Sequence, residues 1–287
     1  MKNLSWVVVL AVVGLNLFVW AQIIFLDRSI SPKIYFLNVG QGDSTLVEFP
    51  TGVQILTDAG PSKKVVGELG KILGETDHYI DLAIITHPQL DHFNGFNEIL
   101  ERYEVGAFIV NGREVDLPEW KSLVAKISER KIPVIILAAT DKIKNAENKI
   151  EILSPDQNFI QSGELNDTSL VELIQIKNLK LLLTGDIGQN VEKYLVKKLG
   201  SQLKTDILKV AHHGSKFSSS NEFLGVVNPK VAVIEVGDNR YGHPTPEAIQ
   251  RLSEANILKI LRTDQDGTIK TLTENKRLKL FSAQIDK

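Results

Sequence analysis

Four short apolar runs in this chain each stop on residues that carry a charge or an imidazole, and that repetition constrains the fold more than any other feature. "VQILT" leads into Asp58, "DLAII" into Thr86 and His87, "LKLLLT" into Gly185 and Asp186, and "ILKVA" into His212 and His213. Apolar runs of this length, rich in β-branched residues and bounded by turn residues, read as buried strands. A carboxylate at the end of such a strand sits at a sheet edge, where its charge demands a partner. A lone Asp before Gly is as often a plain turn residue. Beside four histidines the turn reading loses weight.

The rest of the chain fits the same pattern. "IYFLNVGQGDSTLVEFPTGVQILTDAG" reads as three strands joined by hairpin turns, and "PSKKVVGELGKILGET", "PEWKSLVAKISERK", "GQNVEKYLVKKLG" and "TPEAIQRLSEAN" have helical spacing. About a dozen strands with roughly five interspersed helices make a mixed α/β sandwich. A chain of 287 residues with 43% apolar content can bury a full core as one large domain. The strand "TDILKVAHHGS" is expected to run up to the histidine pair.

The N-terminus breaks from this composition. From Ser5 to Leu26, "SWVVVLAVVGLNLFVWAQIIFL" carries no charge and matches the roughly 20 residues needed to cross a bilayer core. With Lys2 before it and Trp20 near its far end, it reads as a transmembrane signal-anchor helix with the bulk of the chain outside. A cleaved signal peptide after Val19-Trp20-Ala21 is the competing reading. The expected organisation is a cytoplasmic segment 1–4, a membrane helix 5–26, a linker 27–32 and one domain over 33–287. That domain is membrane-anchored and extracytoplasmic, or secreted if the first segment is cleaved.

There is no cysteine, so disulfides, thiolate zinc sites and a cysteine nucleophile are excluded. The formal charge of −2 argues against a protein that coats nucleic acid, though not against a local groove. Lys193, Lys197, Lys198, Lys204 and Lys209 could line a nucleic-acid path, but the solvated face of a helix accounts for most of them. Of six histidines, His87 and His92 flank Asp91, and His212 and His213 stand side by side. Imidazole and carboxylate are the ligands left to a cysteine-free protein that holds zinc, manganese or iron. The i, i+4, i+5 spacing in "THPQLDH" aims His87 one way and Asp91 with His92 another, which suits two adjacent metals. His78, alone, reads as an ordinary hydrogen-bonded residue.

Taken in order, "FLNVGQGDSTLVEF", "TDAG", "IITHPQLDHFNG", "NDTSLV", "LLLTGD", "LKVAHHGS" and "YGHPTPEAI" resemble the metallo-β-lactamase fold in the variety found as the soluble domain of ComEC-type competence proteins. The resemblance covers about residues 33–272. It implies a four-layer αββα sandwich with a dinuclear metal site, two Zn²⁺ or Mn²⁺, that hydrolyses a phosphate ester. By the same resemblance, His87 binds the first metal, Asp91 and His92 the second, and Asp186 bridges them. One of His212 and His213 completes the second site, and Asp58 orients the ligand loop. The third motif, usually histidine in the wider superfamily, falls to Asn166 or Asp167. Gln89 replaces a histidine or aspartate, so the His87 metal is expected to be weaker and more oxygen-ligated, with Gln89 offering a carbonyl. His243, with Ser215 and Lys216, is expected near the opening in contact with a phosphate, and Asp43 in Gly-Gln-Gly-Asp at the rim. His243 and Asp91 are also expected to take part in catalysis.

Two bound ions would lower the pKa of a bridging water and aim it at phosphorus. The expected function is therefore a phosphodiesterase or nuclease acting on DNA or related phosphoesters outside the cytoplasm, with a link to competence and DNA uptake. No protein partner is inferred beyond the substrate and the membrane. The alternative is a non-catalytic exported binding protein whose metal site has decayed at Gln89.

Overall fold

In the computed structural model, strand β1 (Lys33–Phe36) sends successive side chains to different layers. Ile34 and Phe36 enter one apolar cluster and Tyr35 another, so the strand is covered on both faces. The structure describes residues 2–25, 31–74, 76–274 and 277–282. The chain forms two compact units, the first ending at Ile30 and the second running from Ser31.

In the second unit the further strands are β2 (Thr45–Glu48), β3 (Gln54–Thr57), β4 (Tyr79–Ile85), β5 (Glu104–Val110), β6 (Val134–Ile136), β7 (Lys142–Asn145), β8 (Asn148–Ser154), β9 (Val171–Ile176), β10 (Leu179–Leu183), β11 (Ile207–Lys209), β12 (Val231–Ile234), β13 (Lys259–Arg262), β14 (Ile269–Glu274) and β15 (Arg277–Phe281). One sheet has the order β15-β14-β1-β2-β3-β4-β5-β6 and the other β13-β12-β11-β10-β9-β8-β7. Between them lies a core built from Phe36, Val47, Ile55, Ile84 and Ile109 on one side and Ile150, Ile174, Leu181, Ile207 and Val233 on the other. Helices Lys64–Leu73 and Pro118–Glu129 cover the outer face of the first sheet through Leu69, Trp120 and Leu123. Helices Gln189–Leu199, Asn221–Val227 and Pro246–Glu254 cover the second through Val191, Phe223 and Leu252. The layers are helix, sheet, sheet, helix. Strands covered on both faces read as continuous apolar runs, which is why "DLAII" and "LKLLL" lack the alternation of a half-exposed strand.

The strands that matter for function are parallel: β3 with β4 in one sheet, and β10, β11 and β12 in the other. Open α/β sheets gather ligands beyond the carboxyl ends of such strands. Both sheets end there in polar residues. The strand expected to reach the histidine pair stops at Lys209. His212 and His213 have φ of 51° and 52°, a left-handed conformation that cannot continue a ladder and costs a non-glycine residue about 1–2 kcal/mol. Asp58, at the end of β3, also has a positive φ, of 57°.

The transmembrane assignment of 5–26 is corrected. A helix does run over Lys2–Phe25, but among the described residues no helix is long and apolar enough to cross a membrane. Leu26, residues 27–30 of the expected linker, and Met1 lie outside the described residues, as do the side chains of 2–5 and 21–25.

Candidate metal centre

His87 leaves β4 with its ring held by two hydroxyls, Nδ1 lying 3.0 Å from Thr86 Oγ1 and 3.3 Å from Ser169 Oγ. Thr86 donates its own hydroxyl proton to Asp58 Oδ2 at 2.7 Å. Its oxygen is thus left to accept from Nδ1, and the lone pair of His87 falls on Nε2. That Nε2 is buried and has no hydrogen-bond partner. Burial first, then the neighbouring His92, pushes the imidazole down to about 3, which leaves it neutral at neutral pH.

The loop then turns back on itself. Gln89 N donates to His87 O and His92 N to Gln89 O, each at 2.9 Å. The single helical turn Leu90–Phe93 presents Asp91 and His92 together. His92 Nδ1 meets Asp58 Oδ2 at 2.8 Å, while Asp58 Oδ1 accepts Thr86 N at 2.9 Å. One carboxylate therefore fixes both the strand exit and the ring, with His92 Nε2 left free. Gly42 makes this possible from the other side. Its φ is 143°, and a Cβ there would overlap the Asp91 carbonyl oxygen, which accepts Asp43 N at 3.2 Å.

The second sheet supplies the opposing wall. Asp186 Oδ2 lies 3.3 Å from His92 Nε2 and 3.4 Å from His213 Nε2, and Oδ1 has no hydrogen-bond partner. His213 Nε2 is also 3.3 Å from Asp91 Oδ2. Its Nδ1 is held by Glu235 O at 2.8 Å and faces Asp43 Oδ1 at 3.2 Å. His213, rather than His212, thus brings a buried, unpartnered Nε2 to Asp186. His212 stands 4.0 Å from Asp186, partly exposed, with the Asn166 amide 3.3 Å from its ring.

The Nε2 atoms of His87, His92 and His213 and the Oδ1 atom of Asp186 are all buried without a hydrogen-bond partner, and the three imidazoles lie around the Asp186 carboxylate. Buried polar atoms without partners are rare in native proteins. The donor atoms of His87, His92 and Asp186 lie within 4.8 Å of one another, as do those of Asp91, His92 and His213. Two overlapping nitrogen and oxygen sets of this kind fit divalent transition metals.

Several residues expected at the site are elsewhere. Asp43 is buried at the floor rather than at the rim, because the turn before it folds inward against Asp91. Asp167 turns away to accept Gly188 N at 3.3 Å, so that Asn166 alone of the pair lines the cleft, where its Oδ1 accepts the Gln89 side-chain amide. Ser215 is buried and Lys216 lies over the Phe217 ring, 5.1 Å from its centroid; neither lines the cleft. The cleft itself, about 350 Å³, is bounded by Gln89, Asp91, Asp186, His212, His213, Tyr241 and His243. The His243 ring stands 5.3 Å from that of His212. Burial, then His212 and His213, push His243 down to about 4.

Two residues that belong here escaped the sequence reading. Lys209 is not on a solvated face: its side chain is 2% exposed, paired with Asp43, 3.0 Å from Gly185 O and 3.8 Å from Asp186 Oδ1. Burial alone would raise the Asp43 carboxyl, but the Lys209 ammonium together with His213 and His92 outweighs it and holds Asp43 below the usual carboxylate range. Glu235 follows β12 and accepts Ser44 N at 3.0 Å and Thr45 Oγ1 at 3.1 Å. The signal for both was a charge inside an apolar run, "ILKVA" and "VAVIEVG", in strands buried on both faces.

Comparison with known proteins agrees with this geometry. The chain is 28% identical over 262 residues to ComE operon protein 3 of Bacillus subtilis, covering 85% of this chain and 33% of that protein. It is 30% identical over 242 residues to Competence protein ComA of Neisseria gonorrhoeae, covering 81% and 31%. It thus spans about a third of the length of these relatives. Among solved structures, the metallo-beta-lactamase fold protein YhfI from Bacillus subtilis superposes with a TM-score of 0.55 at 9% identity, over 82% of this chain and 98% of that one. CmlA, a diiron beta-hydroxylase from Streptomyces venezuelae, does so with a TM-score of 0.52 at 11% identity, over 88% and 54%; these two share the fold. Residues 37–237, which carry the ligand loop, Asp186 and the histidine pair, match the Metallo-beta-lactamase superfamily, and the chain belongs to that superfamily.

Proposed function

We propose that this protein is a metal-dependent phosphodiesterase with a dinuclear site, acting on DNA or a related phosphodiester. The observation that carries the reading is the convergence of the unpartnered Nε2 atoms of His87, His92 and His213 on Asp186. His87 and Asp186, with Asn166 and Gln89 nearby, would hold one ion; Asp91, His92 and His213 would hold the other, and Asp186 would be shared. Bound divalent ions supply Lewis acidity and a nucleophilic hydroxide near neutral pH.

The chain's own residues do the rest. Asp58 keeps the His92 ring turned toward the site, and Asp43 does the same for His213. Neutral His243 and His212 stand at the cleft wall, where each can donate a ring N–H hydrogen bond to a phosphoryl oxygen. Superfamily members are generally hydrolases, and the name of one relative, Competence protein ComA, favours DNA as substrate.

Metal analysis and hydrolysis of bis(p-nitrophenyl) phosphate with added Mn²⁺ or Zn²⁺ test the proposal. Two equivalents of metal and metal-dependent turnover, abolished in Asp186→Ala, are expected. Absence of bound metal, or turnover indifferent to Asp186→Ala, would refute it.

A further inference from the structure

Lys209 is a fully buried ammonium set among carboxylates of a site that divalent cations would have to enter. It sits on β11, the central member of the parallel set β10-β11-β12, so its backbone position is fixed on both sides. Its Nζ pairs with Asp43 Oδ2, donates to Gly185 O at 3.0 Å, and stands 3.8 Å from Asp186 Oδ1. A neutral donor would suffice to hold Asp43. An ammonium adds a full positive charge that solvent cannot screen, directly behind Asp186, the carboxylate that faces both His92 and His213.

We propose that Lys209 sets the charge of the metal floor, weakening the hold on divalent cations and strengthening the hold on a phosphate anion. The inference rests on the phosphodiesterase reading and specifies how its site divides affinity between metal and substrate. One unit charge a few ångströms from the bound groups, at the effective dielectric of a protein site, changes each affinity by about tenfold or more. The two effects have opposite sign. A residue that merely braces the fold would weaken both on removal.

The test is a charge cycle on the whole protein: Lys209→Met, Asp43→Asn and the double variant, with Mn²⁺ affinity measured by titration and inorganic phosphate affinity by calorimetry on the Mn²⁺-loaded protein. K209M should bind Mn²⁺ about tenfold more tightly and phosphate about tenfold more weakly. D43N should shift both the other way, and D43N/K209M, which restores the total charge, should return both toward wild type. If K209M does not fold, the double variant compared with D43N reads the same lysine effect. Weakening of both affinities on loss of Lys209, or no recovery in the double variant, overturns the inference alone. A wild-type protein that takes up no Mn²⁺ overturns both it and the phosphodiesterase proposal.

Discussion

Behind the ligands, Glu172 faces Thr57 Oγ1 at 3.2 Å with its other oxygen unpartnered. Burial, then the Asp58 charge, raises it to about 8. The folded state therefore keeps a proton that the unfolded chain releases above the ordinary glutamate value of 4.5. The stability this gives is complete below that value and is lost as pH rises toward 8. Glu172→Gln should flatten the fall in thermal midpoint between pH 5 and 8, and at pH 8 should melt higher than wild type. The two adjacent histidines are separable in the same way. His213→Ala should lose about one metal equivalent, read by elemental analysis. His212→Ala should keep both and lose turnover by about 10²-fold, the scale of one hydrogen-bond donor lost from the transition state. The sequence brought these residues together as one pair, because spacing does not report which of two left-handed neighbours faces inward. Asp43 and Lys209 were misplaced for a related reason: each is charged, and a charge is ordinarily read as solvent-facing unless its partner is known.

Strand ends were the most legible elements, since an apolar run bounded by a turn fixes both where a strand stops and that the next residue is at an edge. The third ligand motif was not. In "NDTSLV" the Leu165–Thr168 helical turn puts Asn166 at the cleft and Asp167 against Gly188, and a rotation of one residue in a single turn leaves no periodic trace. The Gly-Gln-Gly-Asp turn was legible as a turn but not as a brace. Its second glycine leaves room for the Asp91 carbonyl. Gly42→Ala should cost about 1–3 kcal/mol from backbone conformation alone, and should weaken metal binding in protein that still folds, because the displaced group is the ligand loop. Unchanged metal affinity in folded Gly42→Ala would show that the loop holds its shape without this contact.

At the scale of the whole molecule, the apolar runs pointed to a mixed α/β sandwich, and the four-layer order was what the resemblance of the ligand motifs implied. The length of the N-terminal apolar segment did not translate into a membrane span among the described residues. What the sequence could not convey is which layer each ligand comes from. His87, Asp91 and His92 follow β4 of one sheet, whereas Asp186 and His213 follow β10 and β11 of the other. Ions shared between them would act as a rivet through one end of the sandwich, tying chain segments 94 to 126 residues apart and stiffening that end mechanically as well as chemically. Chelation should then speed amide exchange at the carboxyl ends of β4, β10 and β11 far more than at their amino ends. Uniform exchange along these strands, with and without chelator, would show that the two sheets need no such fastening.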